Sequence, residues 1–409
     1  ITPHDRNTIA EVNKIRTVSD IKFKGNPALI EIIGEEIDSQ FIHDLRTLSL
    51  SQESIKRHHD MKIVYTPIHG TGVKLIPRSL AAFGFTNIIH VPEQDVISGD
   101  FPTVKSPNPE EPAAMAMAVA KAKETDAELV LASDPDADRV GAAVKNNEGE
   151  WVLLNGNQTA LMLVYYLIRR WKELGKIQGK EYIVKTIVTT ETIRAIAEAN
   201  GVGFYDVYTG FKWIANVMRQ NEGKLKFIGG GEESYGFLCE DFVRDKDAVS
   251  ACSMLAEIAA WAKDNGMTMY QLLQNIYVEY GFSKEKGISV VKKGKSGADE
   301  IEAMMKRYRE TPHTEIAGFK VTHINDFSTL KSYDLLENET ISLDMPTTSN
   351  VLQYFTEDGT KVSIRPSGTE PKIKYYIEVH SKVKGLDELE AADAAAIAKI
   401  EEIKKFFGI

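Results

Sequence analysis

The chain is poor in cysteine: Cys239 and Cys252 are the only two among 409 residues, and no CxxC spacing occurs. A disulfide framework is thereby excluded, and a reducing cytoplasm is the expected compartment. Long apolar runs are also missing. The longest, Ala160 to Ile168, has nine residues and ends at Arg169-Arg170, less than half of what a membrane-spanning helix needs. The first ten residues, ITPHDRNTIA, lack a basic stretch followed by an apolar core, so no signal peptide is read there. Positive charge is in deficit, with 49 Lys and Arg against 59 Asp and Glu, a net −10. Nucleic acid and anionic membranes are therefore not expected partners. Any anionic ligand must be held by a local cluster of cations working against the global field.

What is present is ordinary for a globular protein, with 43% hydrophobic and 26% charged residues. The length predicts two to four domains, at roughly 150 residues each. Residues 1–50 read as helical pieces broken near Gly25-Asn26-Pro27. Strands are expected at 62–66, 87–91 and 127–132, with helices at 73–83 and 112–124 between them. After the amphipathic helix 158–174 a second alternation follows. Its strands are 182–188, 203–207 and 226–228, its helices 191–199, 211–220 and 248–263. Such alternation predicts α/β layers with largely parallel strands. Residues 285–312, rich in Lys, Gly and Glu, read as a linker. The last hundred residues change to consecutive strands around 340–381, with Asp358-Gly359 as a hairpin turn, and a long helix at 386–406. That is α+β.

The strongest chemical signal is Ser133-Asp134-Pro135-Asp136-Ala137-Asp138-Arg139, directly after a buried strand. Carboxylates at i, i+2 and i+4 share one side of an extended segment. Three like charges there call for a hard cation, and oxygen-only ligands suit Mg²⁺. An EF-hand fails, because Arg139 stands where Gly is needed and Lys145 where Glu is needed. Arg139 beside the carboxylates is placed to bridge a phosphate to the metal.

Two more loops add polar chemistry. Gly229-Gly230-Gly231 leads into Glu232, Glu233 and Ser234, where close backbone approach and adjacent acids suit sugar hydroxyls. Arg365-Pro366-Ser367-Gly368-Thr369-Glu370-Pro371 gathers a guanidinium, two hydroxyls and a glycine amide, a set matched to a tetrahedral dianion. Thr209-Gly210-Phe211-Lys212 and Arg244-Asp245-Lys246-Asp247 each put a cation near a helix start. Gly294-Lys295-Ser296 looks like the end of a phosphate loop, but Ser289 occupies the position of its first glycine. His69 reads as a turn histidine.

With these motifs in order, DPDADR (134–139), GEESYG (231–236) and RPSGTEP (365–371), the chain resembles the α-D-phosphohexomutases, the phosphoglucomutase/phosphomannomutase family. TPIHGTG (66–72), TGFKW (209–213) and FVRDKDAV (242–249) extend the resemblance over essentially the whole chain. The last two favour the phosphoglucomutase-type branch, since the phosphomannomutase branch typically has His where Phe211 and Gly236 stand. The resemblance implies tandem α/β domains with mixed sheets plus a C-terminal α+β domain, around a central cleft. It divides the chain into 1–55 (remnant of a first domain), 56–175 (metal loop), 176–300 (sugar-binding loop) and 301–409 (phosphate-binding domain).

It further implies Mg²⁺ on Asp134, Asp136 and Asp138, and Arg139 and Lys246 as catalytic groups. Substrate contacts fall to Thr209, Gly210, Lys212, Glu232, Ser234, Arg244, Arg365, Ser367, Gly368 and Thr369. The implied reaction interconverts hexose 1-phosphate and hexose 6-phosphate, glucose favoured, through a phosphoserine and a hexose bisphosphate. The family's T-A-S-H-N-P type serine loop and its N-G-Y/F-K segment do not occur here. Ile1–Asp5 resembles the stretch just beyond that loop, and neither Ser106 nor Ser133 has matching context. The expectation is a chain that binds Mg²⁺ and phosphosugar weakly, without turnover. A phosphopentomutase or phosphomannomutase, a non-catalytic phosphosugar binder, and a hydrolase with Asp134 as nucleophile are the alternatives.

Overall fold

The computed structural model describes residues 3–292, 294–368 and 370–409. Two compact units result, Ile1–Phe41 and Ile42–Ile409. Within the first, the helix His4–Val12 and the short turns Val18–Asp20 and Pro27–Leu29 carry the described secondary structure before the helix that begins at Glu35.

The second unit holds three sheets. The first has the order Ile88–His90, Ile63–Thr66, Leu129–Ser133, Val140–Lys145, Trp151–Leu154. Its first three strands are parallel and the last two antiparallel. Ile63–Thr66 and Leu129–Ser133 are buried at every position. That is why both read as continuous apolar runs. The second sheet runs Gly203–Val207, Glu181–Thr186, Lys226–Gly231, Phe237–Cys239, parallel except at the last strand. Between the two lie the buried helices Gly156–Glu173 and Ala248–Asp264. Asn155 starts the former with a reciprocal cap on Gln158, and Asp247 caps the latter through the amides of Val249 and Ser250.

The C-terminal sheet is antiparallel along its main path, in the order Phe282–Val291, Lys372–Ser381, Lys361–Pro366, Leu352–Thr356, Phe319–Asp326, Lys331–Asp334, Glu339–Ser342. One face, with Ile364, Ile373, Tyr375 and Ile377, is buried, and the helices Gly294–Glu310 and Leu389–Phe407 pack on strands of this sheet. Gly359, at φ +83°, turns the hairpin expected at Asp358-Gly359.

The linker expected at 285–312 is corrected. Phe282–Val291 pairs in full register with Lys372–Ser381, and Gly294–Glu310 is a helix. Ile301, Met305 and Tyr308 are its buried stripe, a helical period hidden by polar composition. The cysteines are both buried and unpaired. No helix among the described residues is long and apolar enough to cross a membrane.

Candidate active site

The acidic loop leaves the strand Leu129–Ser133 and turns through Ala137, whose φ is +58°. One carboxylate oxygen from each of Asp134, Asp136 and Asp138 lies within 4.8 Å of the others. Asp134 is buried, and its Oδ1 accepts the backbone N–H groups of Asp138 (3.1 Å) and Arg139 (2.9 Å). Burial pushes its carboxyl up to about 7; the Arg139 amide offsets part of this, and the charges of Asp138 and Asp136 add to it. Asp138 Oδ1 is buried without a hydrogen-bond partner among the described residues. Three oxygen donors, one of them orphaned and another reluctant to ionise, fit a hard divalent cation.

The loop is buttressed from below. Thr71 donates to the Pro135 carbonyl through its amide (2.9 Å) and its hydroxyl (3.1 Å). Gly70 presses against the same residue, where an added Cβ would lie 2.5 Å from Pro135 Cα. His69 is a turn histidine, its ring held by the Val96 carbonyl and Thr103. Ser133 is buried against the Tyr65 hydroxyl at 2.8 Å.

Backbone joins this loop to the sugar-type loop 231–236. Arg139 bridges Gly236 in antiparallel fashion, Val140 N–H donates to Tyr235 C=O at 3.0 Å, and Ala248 N–H to Ala137 C=O at 3.1 Å. Lys246 Nζ lies 2.6 Å from Asp138 Oδ2. Burial would lower the Lys246 ammonium, but Asp138 outweighs it and raises it above its ordinary value. Its side chain runs over Gly236, where a Cβ would come 2.6 Å from Lys246 Cδ. Arg139 lies 3.7 Å from Asp134 and Asp138 and 3.6 Å from Glu110.

A cleft of about 1070 Å³ opens beside the loop. Arg139, Lys246, Thr209, Gly210, Glu232, Ser234 and Arg365 all line it. Glu232 is buried with Oε1 accepting the Gly210 amide at 2.6 Å; desolvation raises its carboxyl and that amide restrains the rise. Arg365 crosses to Thr209 Oγ1 through Nη1, tying the C-terminal sheet to the turn before the helix Phe211–Asn221. Lys212, Arg244, Ser367 and Gly368 do not line the cleft. Lys212 is exposed over the Trp213 ring, Arg244 pairs with Glu222 at 3.2 Å, and Ser367 Oγ accepts the Glu370 amide at 3.3 Å. Thr369 lies outside the described residues.

Glu233, the acid next to Glu232 in the same loop, has its Oε2 held by the hydroxyls of Thr186 (3.0 Å) and Thr189 (3.4 Å). Several other cleft residues escape motif reading. Lys372, Lys374 and Tyr376 share one face of their strand, and Glu110 stands across the cleft. The signal for the first three was the period-two alternation in KIKYY, which places every second residue on the same side.

Residues 39–149 match the family described as phosphoglucomutase/phosphomannomutase, alpha/beta/alpha domain II. Residues 155–280 match its alpha/beta/alpha domain III, and 291–402 its C-terminal domain. The chain belongs to the phosphoglucomutase/phosphomannomutase family. A phosphoglucomutase of Staphylococcus saprophyticus is 31% identical over 385 residues, 92% of this chain and 68% of that protein. One of Staphylococcus aureus is 37% identical over 320 residues, 78% of this chain and 57% of that protein. The chain thus spans between about half and two thirds of the length of these relatives. Among solved structures, a putative phosphomannomutase from Thermus thermophilus shares the fold with a TM-score of 0.62 at 18% identity, covering 91% of this chain and 66% of that one. The open form of parafusin from Paramecium does so at 0.59 and 15%, covering 91% and 62%.

Proposed function

We propose that this chain carries the metal, sugar and phosphate sites of an intramolecular phosphotransferase that interconverts hexose 1-phosphate and hexose 6-phosphate. One observation carries the reading: Arg139 and Lys246 reach from the acidic triad into a cleft whose far wall presents Arg365. Asp134, Asp136 and Asp138 would hold Mg²⁺, which supplies charge neutralisation on a phosphoryl oxygen. Arg139 then steadies the reacting phosphate, Glu232 and Ser234 orient hydroxyls, and Arg365 grips the phosphate at the other end. Positioning and electrostatics account for most of the catalysis in such a transfer. Glucose is favoured over mannose because Phe211 and Gly236 stand where the phosphomannomutase branch typically has His, and the similar Staphylococcus proteins are named phosphoglucomutases. Two buried free thiols support a cytoplasmic setting.

These 409 residues contain no T-A-S-H-N-P type loop to carry the phosphoserine, and Ser133 is locked against Tyr65. That favours, for this chain alone, binding without turnover. Isothermal titration of the 409-residue protein with glucose 1-phosphate is expected to show binding that Mg²⁺ strengthens. A coupled assay is expected to show no glucose 6-phosphate. Robust turnover with a full-length contaminant excluded would overturn the inactivity. Absence of binding to any hexose phosphate, with and without Mg²⁺, would overturn the mutase reading.

A further inference from the structure

Four threonines, Thr186, Thr189, Thr190 and Thr192, are fully buried at the end of the strand Glu181–Thr186 and just beyond it. Buried hydroxyls need partners, and these look two ways. The Thr189 amide donates to the Thr186 carbonyl at 3.0 Å, a tight turn that brings the two hydroxyls within 2.8 Å of each other. Both reach Glu233 Oε2, at 3.0 and 3.4 Å. Thr190 and Thr192 turn instead to the C-terminal sheet, the first to Glu378 (2.8 Å) and the second to Ser283 (2.9 Å). That sheet also grips the main chain between them. Lys361 Nζ donates to the carbonyls of Ile187 (3.4 Å) and Thr189 (3.0 Å), and Gln353 Nε2 to that of Ile187 (2.7 Å). Lys361 is itself fixed, with Glu191 at 2.6 Å and Glu378 at 3.0 Å. Ile187 and Val188 complete the joint by packing with Phe327 and Val351. Glu233 lines the cleft, whereas Thr186 and Thr189 do not, so the hydroxyls stand behind the carboxylate. Glu233 Oε1 has no hydrogen bond among the described residues.

We propose that Thr186 and Thr189 are positioning residues for recognition of a sugar hydroxyl. Held in place by Lys361 and Gln353 of the C-terminal sheet, they fix the Glu233 carboxylate through one oxygen and leave the other to accept from the sugar. This inference rests on the mutase reading above. A glutamate on an open wall would lose rotamer freedom when it met a hydroxyl; one already anchored has lost it on folding, and its contact with the ligand is correspondingly stronger. Because the anchoring segment is bound to the C-terminal sheet, that sheet sets how far Glu233 reaches into the cleft.

The test uses the 409-residue protein, its Thr186→Val and Thr186→Ser variants, the charge-balanced pair Lys361→Met with Glu378→Gln, and two probes, inorganic phosphate and glucose 1-phosphate. Without ligand, hydrogen exchange of the backbone amides at 232–236 is expected to quicken in T186V and in the pair, and to return to the wild-type rate in T186S. In calorimetry T186V is expected to lose about tenfold in affinity for glucose 1-phosphate, the effect of one hydrogen bond to a charged group. It is expected to keep its affinity for phosphate, and T186S to recover the sugar phosphate. Wild-type exchange in T186V would overturn the positioning role whatever the protein binds, and so would equal losses for both probes. Wild-type exchange in the pair alone would overturn the part given to Lys361. Quickened exchange with unchanged glucose 1-phosphate affinity would overturn recognition through Glu233. A wild-type protein that binds glucose 1-phosphate no tighter than phosphate would refute the mutase reading, while the exchange rates still decide the positioning.

Discussion

Replacing Glu285 by Gln should stabilise this protein at neutral pH and do nothing in acid. Glu285 and Glu378 face each other in register on neighbouring strands, and Glu285 Oε2 is buried without a partner among the described residues. Around them stand Lys361 and Glu191, then Lys185, Asp206 and Arg194. The set counts four acids (Glu285, Glu378, Glu191, Asp206) and three cations (Lys361, Lys185, Arg194), so it is balanced only when one carboxyl keeps its proton. Burial, reinforced by Glu378, pushes Glu285 from 4.5 up to about 7. The sign follows from linkage. Below about 4.5 the group is protonated folded or unfolded and has no effect; as pH rises to about 7 only the unfolded chain releases the proton, and stability falls. At about 1.4 kcal/mol per pH unit, the loss is about 3 kcal/mol. Urea unfolding of wild type and E285Q at pH 5 and pH 7.5 measures it, and the shared pH dependence of other groups cancels in the difference. An advantage for E285Q that appears only at the higher pH is expected. Equal stability at both pH values, or a less stable variant at pH 7.5, would refute the argument.

Two further substitutions probe the frame. Gly156 opens its helix against the sugar-type loop, and a Cβ there would lie 1.9 Å from the Glu233 carbonyl oxygen. Gly156→Ala should therefore displace residues 233–235 and weaken glucose 1-phosphate binding by tenfold or so, at about 1–3 kcal/mol of stability; titration calorimetry showing unchanged affinity would contradict this. Lys185 is fully buried between Glu191 (3.0 Å) and Asp206 (2.8 Å). Lys185→Met should cost about 3 kcal/mol in denaturant unfolding by leaving the half-buried Glu191 and Asp206 one cation short, and adding Glu191→Gln should return part of it.

The acidic loop was legible because its chemistry is local: three aspartates within five residues need no knowledge of the fold. The two α/β sheets were legible for a similar reason, their buried strands being short apolar runs between helices. The stretch 285–312 was not. Its strand carries Glu285 toward a polar cleft and its helix is mostly exposed, so composition pointed to a linker while register made a sheet. Lys361 became visible only beside Glu378, since no spacing along the chain reports what lies opposite across a ladder. Lys212 and Arg244, read as cations near helix starts, lie over Trp213 and beside Glu222.

The acidic loop and the loop 231–236 are stitched together by main-chain groups at Arg139 and Val140. Peptide units are the same whatever side chains they bear. Under the proposed mutase reading, hydroxyl preference is therefore retuned by exchanging side chains at 232–235, while the main chain sets the separation between the triad and that loop. Selectivity and reach are, in this architecture, independent variables.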